Sequence, residues 1–169
     1  MITTKIPYDF VRQRVNLSWR QVQFALEHQL ISPQVAIDKA TARLCESGDA
    51  SPDEVELAGL SESDSVLELV SRLAAAEGPA ADQDQAKWLY LFLAWLFDNR
   101  RSVNDPLRIV EEVYSDFGYP REIASFVRYM PMVGRDLGNH EQNEARLYDY
   151  WKSYLDEAGK RFAPPGRGA

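Results

Sequence analysis

Three carboxylates and a guanidinium fall on one predicted helix. Asp105, Glu112 and Asp116 can share one side of it with Arg108 between them, a spacing that presents carboxylates to a metal ion or a basic partner. Two of them have structural explanations, because Asp105 precedes a proline as an N-cap and Glu112 can pair with Arg108 at i,i+4. We therefore interpret the set as an ion-pair network or a pocket wall, and predict no catalytic residue and no metal site.

Arg128 and Tyr129 belong to a polar and aromatic stretch, residues 111–131. A guanidinium between Val127 and Tyr129 must reach solvent or pair with a carboxylate such as Asp116, because an unpaired buried charge is strongly unfavourable. If the stretch forms a pocket instead, its expected walls are Tyr114, Tyr119, Arg128 and Tyr129.

The triplet Asp116-Phe117-Gly118 copies the magnesium-binding triplet of protein kinases. A kinase also needs a glycine-rich loop, a strand lysine and a catalytic-loop aspartate, and the sequence has none of these. Phe117 completes an apolar helical stripe, and Gly118 suits a left-handed helix end. Helix termination therefore explains the triplet better than catalysis.

Cysteine and histidine are scarce. One cysteine excludes an internal disulfide, and with two histidines it leaves no cluster for a structural zinc. Cys45 lies in the last turn of a predicted helix, where the dipole disfavours a thiolate, so we expect a packed thiol. His28, near a helix C-terminus, and His140, in a polar loop, suit capping or surface roles. We predict no cofactor.

Acidic residues are concentrated between residues 45 and 84. The net charge of −7 divides into six Lys/Arg against three Asp/Glu in residues 1–44, one against eleven in 45–84, and twelve against twelve in 85–169. Such a block disfavours nucleic acid and membrane surfaces and favours a basic protein partner, although a merely solvated surface is the simpler alternative. The partner-facing carboxylates we predict are Glu54, Glu56, Glu62, Asp64 and Glu68.

All of these side chains must be positioned by helices. The clearest predicted helix contains a run of ten apolar or aromatic residues, 88–97. Crossing a bilayer takes about 20 such residues, and charged residues close this run at both ends. A helix that is apolar on every side must then be enclosed by protein. We predict a central helix over about residues 83–99, N-capped by Asp82. Its heavily buried residues are expected to be Trp88, Leu89, Phe92, Trp95 and Leu96.

Other segments carry helix start and stop signals around apolar residues spaced three and four apart. Asp64 and Glu68 are expected opposite the apolar stripe of one of these helices, at 62–77. The predicted helices are 6–15, 18–29, 33–46, 51–59, 62–77, 106–117, 120–130 and a last one that ends at Gly159.

The predicted fold is therefore all-α, a single-domain helical bundle around the central apolar helix. No segment shows the alternation of a strand. We expect one domain over residues 1–159 and a flexible tail over 160–169. The first residues lack a secretion signal, so we expect a cytoplasmic protein, and nothing in the sequence defines its oligomeric state.

Several motifs resemble an uncharacterised bacterial family, domain of unknown function 2247. The likeness is strongest from residue 88 to 131. The resemblance implies a small bacterial cytoplasmic protein with no established enzymatic activity, in a family some of whose members look like immunity proteins of polymorphic toxin systems. The motifs are Trp19 with Val22 and Phe24, Trp88-Leu89-Tyr90, Asp105-Pro106-Leu107, Glu111-Glu112-Val113-Tyr114-Ser115-Asp116-Phe117-Gly118-Tyr119-Pro120, and Phe126-Val127-Arg128-Tyr129-Met130-Pro131.

The sequence thus favours a non-enzymatic protein-binding module, specifically an immunity protein that neutralises a basic toxin. One alternative is a small enzyme or ligand-binding protein that uses region 111–131. Another is a structural subunit of an assembly. A neighbouring toxin gene would favour immunity, whereas a metabolic operon would favour the enzyme.

Overall fold

The structure, a computed structural model, describes residues 6–61, 64–78, 84–132 and 134–163. The fold is all-α, as predicted, and no strand occurs in these ranges. The α-helices are α1 (Tyr8–Arg12), α2 (Trp19–Glu27), α3 (Pro33–Glu46), α4 (Pro52–Ala58), α5 (Leu67–Ala76), α6 (Asp84–Asp98), α7 (Pro106–Asp116) and α8 (His140–Phe162), with 3₁₀ turns at Arg100–Ser102 and Arg121–Phe126.

Side-chain caps set the starts of three helices. The Ser18 hydroxyl accepts a hydrogen bond from the Gln21 amide, while the Gln21 side chain accepts one from the Ser18 amide. Ser51 and Glu54 form the same reciprocal pair at α4. Asp105 caps α7 just before its first-turn proline. These caps satisfy amides that have no partner within the helix, and the Asp105 cap was predicted.

The fifth helix starts later than predicted, at Leu67 instead of residue 62. The Ser61 amide and hydroxyl both donate to the Asp64 carboxylate, at 2.8 and 3.1 Å. This local turn competes with helix formation, as short polar side chains often do. Asp64 is therefore not on the helix, and its predicted position opposite the apolar stripe is wrong.

The predicted helix over residues 120–130 is a 3₁₀ turn over Arg121–Phe126. Ile123 and Phe126 are both completely buried. Residues three apart share one side of a helix with three residues per turn, so the tighter helix buries both.

The last helix continues past Gly159 to Phe162. Gly159 therefore lies inside the helix, where a Cβ would come within 3.2 Å of the Tyr90 hydroxyl oxygen. The Phe162 ring is buried and lies 5.9 Å from the Tyr90 ring, centroid to centroid. Packing on Tyr90 thus accounts for both the glycine and the longer helix, and the predicted tail beyond residue 163 lies outside the described residues.

The described chain folds into two compact units, residues 6–88 and residues 89–163. In the first unit, α2 and α4 each pack on α5, and α3 packs on α4. In the second, α8 packs on the 3₁₀ turn at Arg121–Phe126. One domain over residues 1–159 stays a prediction.

Helix α6 is enclosed on every side over two turns. Residues 88–94 are all buried, and so is Leu96. Trp95 is only half-buried, so its predicted heavy burial is wrong. Trp95 lies at the end of the enclosed part of α6, because Phe97 is also half-buried and Asp98 is exposed. The predicted N-cap, Asp82, lies outside the described residues.

Replacing Phe92 with alanine should lower the free energy of unfolding by about 3–5 kcal/mol, because the enclosed ring would leave a cavity. Trp95→Ala should cost less, since part of that ring already contacts water. Denaturant unfolding of both variants measures the difference. An unchanged midpoint for Phe92→Ala would show that α6 is not the core.

Candidate partner-binding surfaces

Glu54, one of the predicted partner-facing residues, is only 5% exposed. Its carboxylate accepts hydrogen bonds from the Ser51 amide and the Arg43 Nε, both at 3.0 Å. Burial raises the pKa of Glu54, but these two donors outweigh it and hold the pKa below its ordinary value. Glu54 therefore stabilises the start of α4, and little of its side chain is exposed for a partner to contact.

Other carboxylates of the acidic block also have structural partners. Glu77 accepts hydrogen bonds from the Trp19 and Arg20 amides, at 3.0 and 2.9 Å, and so satisfies the first amides of α2. The Asp53 carboxylate lies 3.6 Å from Nη1 of Arg72. Much of the block thus serves capping and ion pairing within the chain.

Glu56 and Glu68 remain exposed, on α4 and α5. Across the described ranges, neither lies within ion-pair distance of a basic side chain. Each follows an exposed aliphatic residue, Val55 at 52% and Leu67 at 41%. We call these four residues the α4–α5 surface. Glu62 lies outside the described residues, and Asp64 is exposed in the turn that precedes α5.

Arg128 forms the centre of an ion-pair network. Its Nη1 and Nη2 donate to the two oxygens of Asp105, at 3.2 and 3.1 Å, and its Nε donates to Glu111 at 3.1 Å. The predicted partner, Asp116, is exposed, and the network does not include it. Glu112 instead pairs with Arg108 at 3.8 Å, the i,i+4 pair that the spacing predicts.

Three tyrosines meet beside this network. The rings of Tyr119 and Tyr129 lie 5.3 and 6.0 Å from the Tyr114 ring, centroid to centroid. Tyr114 is buried, whereas Tyr119 is 59% exposed and Tyr129 is 56% exposed. We call this group the tyrosine cluster. It includes Tyr129, which the sequence placed in a pocket or an ion-pair network.

A pocket of about 340 Å³ lies between residues 125–132 and α8. Its walls combine apolar side chains such as Met130 and Leu147 with the polar groups of Arg128 and Arg146. The C-terminal end of region 111–131 therefore lines this pocket, and the opposite wall comes from a helix that the sequence did not associate with it.

The remaining candidates have structural or surface roles. His28 stacks on Phe24 at the end of α2, and its Nδ1 lies 2.9 Å from the Phe24 carbonyl oxygen. His140 is the first residue of α8, with its Nε2 3.3 Å from the Glu144 carboxylate. Cys45 is exposed, so the predicted packed thiol is wrong. In the described ranges, no three His, Cys, Asp or Glu side chains gather closely enough to hold a metal ion.

The sequence matches, over residues 8–159, the family described as "Uncharacterized protein conserved in bacteria (DUF2247)". The chain belongs to this family. The resemblance that the motifs predict is therefore confirmed, and the description of DUF2247 assigns no activity. Comparison with curated proteins and with solved structures gives no match.

This DUF2247 chain has no helix, among the residues that the structure describes, that is both long and apolar enough to cross a membrane.

Glu54→Gln should lower the free energy of unfolding by about 1–3 kcal/mol, because it weakens a buried charge-assisted hydrogen bond at the start of α4. Glu56→Gln, two residues away and exposed, is the matched control and should change stability by less than about 0.5 kcal/mol. Chemical denaturation near pH 7 compares the two. Equal effects would contradict the structural role of Glu54.

Hydrogen bonds from Arg128 hold the pKa of Asp105 below its ordinary value. Arg128→Met should therefore raise the pKa of Asp105, whereas Arg108→Met should change it less. In the native protein this interaction stabilises the fold above the ordinary carboxyl pKa, and the stabilisation is lost as the pH falls through the lowered one. The carboxyl ¹³C shift of Asp105 during a pH titration measures the change, and an unaltered titration in Arg128→Met would refute the role of Arg128.

Proposed function

We propose that this DUF2247 protein is a non-enzymatic protein-binding module, an immunity protein that binds and occludes a basic toxin in the cytoplasm. The observation that carries the proposal is the α4–α5 surface, in which two exposed carboxylates without described ion-pair partners each follow an exposed aliphatic residue in sequence. An exposed apolar patch bordered by polar residues is typical of a partner-binding site, because the partner removes the apolar surface from water.

Charge supports a basic partner. No described cation pairs with Glu56 or Glu68, so their negative charges are not neutralised within that part of the chain. Exposed carboxylates accelerate the encounter with a positively charged protein, and salt weakens this effect. The aliphatic side chains of Val55 and Leu67 would then slow dissociation through burial. The two kinds of side chain therefore serve different steps of one binding event.

The pocket between residues 125–132 and α8 favours a second candidate function, binding of a small ligand. Its volume, about 340 Å³, lies within the range of small-molecule sites. Arg146 on its wall suits a carboxylate, and Met130 and Leu147 suit an apolar group joined to it. If this is the function, Arg146→Met should abolish ligand binding, whereas substitutions on the α4–α5 surface should have no effect.

Co-expression with the product of the neighbouring gene tests the immunity proposal directly. If that product inhibits growth alone, and growth returns when this chain is present and forms a complex with it, the proposal is supported. A neighbouring product without toxicity, or rescue without complex formation, would reject it. A stable complex with a non-toxic neighbour would instead indicate a subunit of an assembly.

Reversing the two exposed charges, Glu56→Lys with Glu68→Lys, should slow association with the toxin about three- to tenfold at low salt and flatten its salt dependence. The matched control is Asp149→Lys with Asp156→Lys, which makes the same change in net charge at exposed positions of α8. Stopped-flow or surface-binding kinetics at several salt concentrations measure both pairs. If both pairs of substitutions slow association equally, the cause is the net charge of the protein, and the α4–α5 surface is not part of the interface.

A further inference from the structure

The tyrosine cluster has the geometry of an aromatic cage. The Tyr114 ring forms its buried floor, and the Tyr119 and Tyr129 rings stand at 82° and 59° to it. Because Tyr114 is only 6% exposed, a ligand would contact mainly the Tyr119 and Tyr129 rings, which pack against Tyr114. More than half of the surface of Tyr119 and of Tyr129 is exposed, so these two rings are open to a partner.

The backbone holds Tyr119 in a conformation that costs free energy. Its φ is +62°, immediately after Gly118 at +76°. Left-handed backbone is uncommon for a bulky residue with a Cβ. The Tyr119 amide donates to the Tyr114 carbonyl oxygen at 2.8 Å, which fixes the two residues relative to each other. Together with the bond from the Gly118 amide to the Ser115 carbonyl oxygen, this bond ends α7 in a Schellman motif, which fixes the position of Tyr119 and leaves its ring exposed.

Among the residues that the structure describes, no cationic side chain stacks on the ring of Tyr119 or Tyr129. Elsewhere, guanidinium groups lie over aromatic rings, as Arg14 does over Phe10 at 3.7 Å and Arg100 does over Phe97 at 4.0 Å. Among the described residues, no cation lies over a ring of the tyrosine cluster. The exposed parts of the Tyr119 and Tyr129 rings therefore remain available to an external cation.

The charge beside the cluster is negative. Asp105, Glu111 and Arg128 together carry one net negative charge, since two carboxylates surround one guanidinium. Desolvation, and then neighbouring groups that include the Glu111 carboxylate, raise the pKa of the Tyr129 hydroxyl. A cation that contacts the Tyr119 and Tyr129 rings thus meets electron-rich ring faces and a net negative neighbour, whereas an anion would meet repulsion from both.

We propose that Tyr114, Tyr119 and Tyr129 form a binding site for the guanidinium group of an arginine side chain on a basic protein partner. Arginine suits the site because its planar guanidinium stacks on aromatic faces and is weakly hydrated. The identity of the partner as a basic protein rests on the proposed function, but the recognition of a guanidinium group by the three rings does not. The cage can therefore be tested without the toxin.

The probe is the capped tripeptide acetyl-Gly-Arg-Gly-amide, compared with the same peptide containing citrulline, whose side chain has the same shape without the charge. NMR titration follows the ring protons of Tyr119 and Tyr129. The arginine peptide should shift both rings and bind at least about fivefold more tightly than the citrulline peptide, the ratio expected for cation–π contact with exposed rings. Equal binding of the two peptides, or ring shifts no larger than those caused by acetyl-Gly-Gly-Gly-amide, would overturn the proposal.

Substitutions separate cation–π recognition from simple apolar contact. Tyr119→Phe and Tyr129→Phe keep an aromatic face and should change affinity less than about twofold, whereas Tyr119→Leu and Tyr129→Leu keep apolar surface and should weaken binding about three- to fivefold each. Met132→Ala removes an exposed apolar side chain outside the cluster and is the matched control. Unfolding midpoints confirm that each variant is folded. Binding that survives in both leucine variants would show that the rings do not recognise the cation.

The two proposals can fail separately. Loss of arginine-peptide binding in the leucine variants, with toxin neutralisation unchanged, supports the cage but places it outside the toxin interface. Absence of a neighbouring toxin, with specific arginine-peptide binding intact, rejects the immunity proposal and leaves the cage as a site for another basic partner.

Discussion

Complete enclosure of one helix is the constraint on which the rest of the fold depends. Seven consecutive side chains of α6, residues 88–94, are buried, so protein must surround every direction around its axis. Polar groups inside that enclosure need partners, and the Trp88 indole N–H donates to the Gln21 carbonyl oxygen at 2.8 Å. In the second unit, aromatic side chains of α8 supply part of the enclosure, with Trp151 edge-on to Phe97 and Phe162 beside Tyr90. Helices such as α7, by contrast, need to be apolar on one side only, because water covers the other.

The acidic block shows why counting charges does not locate an interface. Its negative sign is real, yet Glu54 and Glu77 use their carboxylates on the first turns of helices, where unpaired amides and the helix dipole favour an anion. Residues next to such a carboxylate in sequence can be exposed instead, as Val55 and Glu56 are on α4. Only the carboxylates that the fold itself leaves without a partner can contribute to recognition.

Local signals in the sequence predicted the local structure well. Serine and aspartate caps and the left-handed Gly118 appear where the residue types demand them, because these features involve atoms only a few residues apart. The sequence was less informative about which residues contact each other when they lie far apart in the chain. Arg128 had several carboxylates within reach of a plausible helix, and only the folded chain shows that it takes Asp105 and Glu111, 23 and 17 residues away. Tyrosine content likewise indicated aromatic packing but not which rings would remain exposed.

The contact between Gly159 and Tyr90 sets the register of two helices. A Cβ at this position of α8 would lie 3.2 Å from the Tyr90 hydroxyl oxygen, closer than ordinary van der Waals contact, so a larger residue would have to displace that side chain. If α8 rotated about its axis or slid by one residue, a bulkier side chain would meet the tyrosine, so the smallest residue of the helix permits a single orientation. The lack of one methyl group at residue 159 therefore restricts how α8 can rotate against α6.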